Sequence, residues 1–127
     1  MAESNYSIDV SAKATFVAPR SNPEANQYFF AYRITIRNTG QVPAKLLSRH
    51  WVITHADGHV EEVQGDGVVG EQPRLRPGEA FEYTSAAVLR TPIGTMHGEY
   101  RMLADDGNTF LAPIPVFRLL GPGATLH

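Results

Sequence analysis

Apolar side chains recur at every second position along most of this chain. In the first segment Ile8, Val10, Ala12, Ala14 and Phe16 alternate with Ser7, Asp9, Ser11, Lys13 and Thr15. A period of two gives an extended strand one dry and one wet face, whereas a helix needs about 3.6. No stretch of the 127 residues carries the helical period. A second strand, about Gln27 to Asn38, stacks Tyr28, Phe30, Tyr32, Ile34 and Ile36 on one side. The third, about Ala44 to His55, holds the single tryptophan, Trp51, on the parity of Leu47 and Ile53, the expected core face. Asp57-Gly58 predicts a type I′ hairpin that returns Val60 to Gln64 antiparallel to it.

Glycines from Gly65 to Gly70, with Pro73 and Pro77, read as a long connection. The next strand, about Glu79 to Ala87, puts Phe81, Tyr83 and Ser85 on one side, and a loop follows at Thr91-Pro92-Ile93-Gly94. A sixth strand spans about His97 to Ala104, and a seventh, Thr109 to Leu119, lines one face with Phe110, Ala112, Ile114 and Val116. Pro113 and Pro115 share the other parity and lack amide hydrogens, so this strand belongs at a sheet edge. Seven short strands punctuated by Gly and Pro predict an all-β fold, an antiparallel two-sheet sandwich of immunoglobulin or fibronectin type III kind. Trp51 fits the buried tryptophan of such a core, and Tyr100 the residue that closes a tyrosine corner.

The length suits one domain over residues 1–127, with an ordered core of about 6–119. Hydrophobic residues make up 43% of it, enough to exclude a disordered chain. A net charge of −2 gives no broad attraction to nucleic acid or to an anionic membrane. With no cysteine, disulfides, thiolate zinc sites and a cysteine nucleophile are excluded. Met1-Ala2-Glu3-Ser4-Asn5 lacks a basic signal-peptide start, and no apolar run approaches the roughly 18 residues of a membrane helix. A cytoplasmic protein is expected.

Gly65-Asp66-Gly67-Val68-Val69-Gly70 is a literal G-x-G-x-x-G. In dinucleotide folds this motif turns a strand into a helix whose N-terminus receives pyrophosphate, but Pro73, Pro77 and Gly78 oppose a helix here. Two roles stay open. The glycines bridge strands through positive φ, or Gly65, Gly67 and Gly70 present amides to an anion while Arg74 and Arg76 supply charge. His55, Asp57 and His59 around the expected hairpin turn are candidate ligands for a divalent metal. His50 has the opposite parity to His55, and His97 and His127 show no partners. Arg49 falls on the apolar parity, so its guanidinium must meet a carboxylate, stack on an aromatic ring or reach solvent. Tyr83, Thr84 and Ser85 offer hydroxyls without a base, and no nucleophile, base and orienter can be grouped from spacing. No cofactor is implied.

Several runs carry a resemblance: Leu47-Ser48-Arg49-His50-Trp51, the Gly65 to Gly70 motif, Gln72-Pro73, Pro77-Gly78-Glu79, Tyr83-Thr84-Ser85, Thr91-Pro92-Ile93-Gly94-Thr95-Met96, Gly98-Glu99-Tyr100 and Ile114-Pro115-Val116-Phe117. Together, from about Tyr6 to Leu119, they resemble the ApaG family of bacterial proteins, also called CorD. The resemblance implies a fibronectin type III-like sandwich without an established biochemical activity. It also implies an association with cobalt resistance and magnesium efflux. Similar domains serve as interaction modules in eukaryotic F-box and polymerase-interacting proteins. The family's glycine motif, suggested as a pyrophosphate or nucleotide contact, falls on Gly65, Gly67 and Gly70. The expectation is therefore a non-enzymatic binding domain acting in divalent-cation homeostasis through a protein partner. The alternative is a phosphate-bearing ligand at the glycine loop with Arg74 and Arg76. Unpaired sheet edges leave a homodimer open.

Overall fold

The computed structural model describes residues 5–123; the first four residues and the last four, His127 among them, lie outside it. Eight strands follow in order: β1 (Ile8–Phe16), β2 (Tyr28–Asn38), β3 (Ala44–His55), β4 (Val60–Asp66), β5 (Arg74–Leu75), β6 (Ala80–Leu89), β7 (Ile93–Ala104) and β8 (Thr109–Leu120). Short 3-10 turns at Ala18–Arg20 and Pro23–Ala25 fill the β1–β2 connection. One sheet runs β1-β2-β6 and the other β4-β3-β7-β8, all pairs antiparallel, with β5 also on β3. This is the expected all-β sandwich, with β8 at an edge as Pro113 and Pro115 require. The eighth strand, β5, is two residues long, too short to leave a period in the sequence.

The alternating apolar faces meet between the sheets. Phe30, Ile34 and Ile36 of β2 are fully buried against Leu46, Trp51, Met96, Tyr100 and Met102. Each such side chain contributes roughly 1.5–3 kcal/mol of burial. Trp51 packs edge-on against Tyr32, Phe117 and Tyr100, at centroid distances of 5.4, 5.9 and 6.4 Å.

Five local expectations are corrected. The register of β3 against β7 slips between Leu46 and Ser48, so Leu46, not Leu47, shares the core face with Trp51 and Ile53. A second slip between Met96 and Gly98 of β7, opposite Ile114 and Phe117, turns Val116 outward to 63% exposure and brings Phe117 and Leu119 inward. One extra residue inverts every side chain beyond it. The Asp57-Gly58 hairpin is not type I′: only Gly58 has positive φ, +89°, and the turn closes through Gly58 N–H to His55 C=O. Tyr100 makes no tyrosine corner, because its hydroxyl meets the Tyr83 hydroxyl at 2.5 Å inside the core. The strand expected from about His97 also begins earlier, at Ile93.

Candidate functional site

β4 continues through Gly65 to Asp66, which places Gly65 directly opposite Arg49 of β3. Beyond it Val68 and Glu71 exchange both backbone hydrogen bonds, at 2.8 and 2.9 Å, around Val69 (φ +45°) and Gly70 (φ +79°). Two central residues at positive φ define a primed two-residue hairpin turn. The element that follows is β5, so no helix opens behind Gly70. The glycines bridge extended segments, and a Cβ at Gly67 would sit 2.4 Å from the Glu71 carbonyl oxygen.

The polarity of this loop is that of a cation seat. Arg49 Nη1 donates to the carbonyl oxygens of Asp66 and Gly67 at 3.0 and 2.9 Å. The Gly67 amide donates to Leu47 C=O at 2.8 Å, and Gln72 Nε2 donates to the same oxygen at 2.9 Å. Arg49 thus places one guanidinium nitrogen on main-chain carbonyls, a partner not expected from the sequence, while the half-buried side chain keeps contact with solvent. The two downstream arginines are engaged elsewhere. Arg74 pairs with Asp105, and Arg76 with Glu79 at 2.9 Å. Arg74 and Arg76 hold the Asp105 and Glu79 carboxyls below the ordinary carboxylate range.

Of the three histidine-turn residues, the fold gathers two. His55 Nε2, His59 and Glu61 offer donor atoms within 4.8 Å of one another. Asp57 instead accepts the His59 amide at 3.0 Å and binds Arg90 Nε at 2.8 Å, and the amide first and the guanidinium second lower its pKa. Glu61 was not identified from the sequence; antiparallel return from the turn sets it diagonally across from His55 on the same face. The buried His55 ring accepts the Arg90 amide at Nδ1 (3.1 Å), so its proton resides on Nε2 and is donated to Glu61 at 2.5 Å. A metal at Nε2 must displace that proton while Nδ1 stays hydrogen-bonded, or the Arg90 amide must turn away.

His50 is the residue sequence reasoning missed most. On the outer face of β3 its Nε2 meets Glu62 at 2.8 Å and its Nδ1 meets Glu99 at 2.7 Å. Glu62 first and Glu99 second raise its pKa, favouring the imidazolium. In the imidazolium form both nitrogens donate, and the ring then has no lone pair to take a proton from Ser48, two residues away on the same strand. His50, Ser48, Asp66, Glu99, Arg101 and Leu111 line a cleft of about 460 Å³ on that face. A second cleft, about 320 Å³, opens between the sheets beside Tyr32, Arg49, Trp51, Val63, Ser85 and Val88.

The described residues therefore define a small antiparallel β-sandwich with open clefts on and between its sheets. The model of the ApaG domain matches residues 18–104. The chain is 62% identical over 117 residues to Protein ApaG of Azoarcus sp., covering 92% of each chain. It is 54% identical over 127 residues to Protein ApaG of Azotobacter vinelandii, covering 100% of each. The crystal structure of the putative ApaA protein from Bordetella pertussis superposes with a TM-score of 0.90 at 49% identity, over 94% of this chain and 97% of that one. This chain belongs to the ApaG family.

Proposed function

We propose that the domain is a non-enzymatic binding module of the cytoplasm that serves divalent-cation homeostasis, in cobalt resistance and magnesium efflux, by engaging a protein partner. The observation that carries the partner is the outer side of β8. Leu111 and Val116 are each 63% exposed there, next to Pro113 and Pro115. The prolines remove amide donors, so this edge resists strand pairing while offering apolar side chains to a complementary surface. The cation-homeostasis part rests on the family resemblance. No helix among the described residues is long and apolar enough to cross a membrane, so efflux would be influenced through another protein.

Complementation tests the reading. In cells lacking the protein, wild type restores cobalt tolerance and magnesium efflux, whereas Leu111→Asp with Val116→Asp, folded to the same melting temperature, does not. Full rescue by that variant overturns the proposed surface. The phosphate alternative requires Arg74 to leave Asp105 and Arg76 to leave Glu79. Titration with pyrophosphate, compared with Arg74→Ala plus Arg76→Ala, is its test. Direct metal binding at His55, His59 and Glu61 predicts saturable cobalt binding that is lost in His59→Ala.

A further inference from the structure

The two sheets are unequal, and the mismatch leaves a gap of defined shape. Three strands, β1-β2-β6, face four, β4-β3-β7-β8, and β1 lies against β8 at one side. The other side of the larger sheet is left uncovered: every residue of β4 except Gly65 is exposed. The inter-sheet cleft occupies this gap. Its floor is a sheet face, since it takes alternate residues Arg49, Trp51 and Ile53 from β3 and Glu61 and Val63 from β4. Its wall is of another kind. Ser85, Ala86, Ala87 and Val88 line it consecutively, which a strand permits only when it presents its hydrogen-bonding edge. β6 pairs with β2 on its other side and ends the smaller sheet.

We propose that an extended acidic segment of a partner protein adds to the free edge of β6 as a fourth strand and sets a carboxylate on Arg49. Strand addition is a common mode of peptide recognition, in which main-chain bonds give affinity and alternate side chains give selectivity. Three features select an acidic occupant. Arg49 has no carboxylate partner, and its Nε and Nη2 have no acceptor among the described residues. Both atoms remain available for a fork-like contact with a carboxylate. The one carboxylate on the cleft floor, Glu61, is bound to His55 and lies four residues along β4 from Gly65, roughly 13 Å away. Between these charges the floor is apolar, with Val63 40% exposed beside the buried Trp51. The occupant should therefore place an acidic side chain over Arg49 and, two residues on, an apolar one over Val63.

Selection from a displayed library of random dodecapeptides against the full chain tests this, with binding of each recovered peptide read by Trp51 fluorescence and by backbone amide shifts. The expected result is a set of strand-forming sequences with an acidic residue. Their binding shifts β6 amides and weakens on the order of tenfold in Arg49→Gln and in Val63→Asp, but not in Arg101→Gln on the outer face. Val63→Asp changes an exposed residue and keeps the test valid if Arg49→Gln unfolds. Three results overturn the proposal: no binder, binders indifferent to Val63→Asp, or a self-associated chain whose dimer Val63→Asp dissociates, which would make a second copy the occupant. None of these outcomes depends on Leu111 or Val116, so the β8 surface stands or falls separately.

Discussion

The Arg49 guanidinium lies across the backbone of its cross-strand partner Gly65, where a Cβ would come within 2.8 Å of Nη2. The first glycine of the motif is thus a vacancy for an arginine, and the carbonyls of Asp66 and Gly67 hold that arginine in it. Gly65→Ala should displace the guanidinium and cost about 1–3 kcal/mol through the lost charge-assisted bonds. In the Arg49→Ala background the same change should cost much less. Urea unfolding of the two single variants and the double measures the coupling, and simple additivity would show that the two residues do not interact.

Val69 occupies a conformation that β-branched residues avoid. Its φ of +45° in the turn before Gly70 crowds Cβ against its own carbonyl, a cost of roughly 1–2 kcal/mol. Asn tolerates the left-handed region, and Asn-Gly is the preferred pair for this turn. Val69→Asn, at a side chain already 60% exposed, should stabilise the domain by about 1 kcal/mol and raise the melting temperature by a few degrees. A lower melting temperature would show that Val69 makes a compensating contact.

His50 makes stability depend on pH in a known direction. Glu62 and Glu99 raise its pKa above the ordinary value of about 6.5, so the folded state binds the proton more tightly than the unfolded chain. The stabilisation is complete below the unfolded value and fades as pH rises through the folded one. The melting-temperature gap between wild type and His50→Gln should therefore be wider at about pH 6 than at about pH 9. A gap that is constant or grows with pH would count against the bracketed imidazolium. Ring proton shifts of His50 give the same titration directly.

Alternation and the placement of prolines were enough to recover seven of the eight strands, the sandwich and the edge position of β8, because each of these depends on which residues are apolar and where prolines fall. The slips beside Leu47 and Val116 were not legible, since an extra residue changes no composition and its effect is set by the partner strand. Asp57-Gly58 carried the signature of one turn and adopted another, with Asp57 drawn to Arg90, 33 residues away. The need of Arg49 for a partner could be read from parity, but a partner made of carbonyl groups has no side chain to reveal it. His50 was hidden for a related reason: Glu99 is 49 residues distant and becomes its neighbour only through the β3–β7 register.

The Tyr83–Tyr100 hydroxyl pair gives the sharpest test of the core. Tyr100 is fully buried, Tyr83 is 8% exposed, and their oxygens are 2.5 Å apart. Burial pushes the Tyr83 phenol up to about 12 and raises Tyr100 as well, so both stay protonated across the neutral range. Tyr83→Phe strands the Tyr100 hydroxyl in an apolar interior and should cost about 1–3 kcal/mol. Tyr100→Phe should cost less, because Tyr83 retains some access to solvent. Replacing both removes two polar groups at once without leaving an orphan, so the double variant should be more stable than the sum of the single effects predicts. Denaturant unfolding of all four proteins supplies the cycle. A double variant as unstable as that sum would mean the hydroxyls act independently, each satisfied by something other than its neighbour.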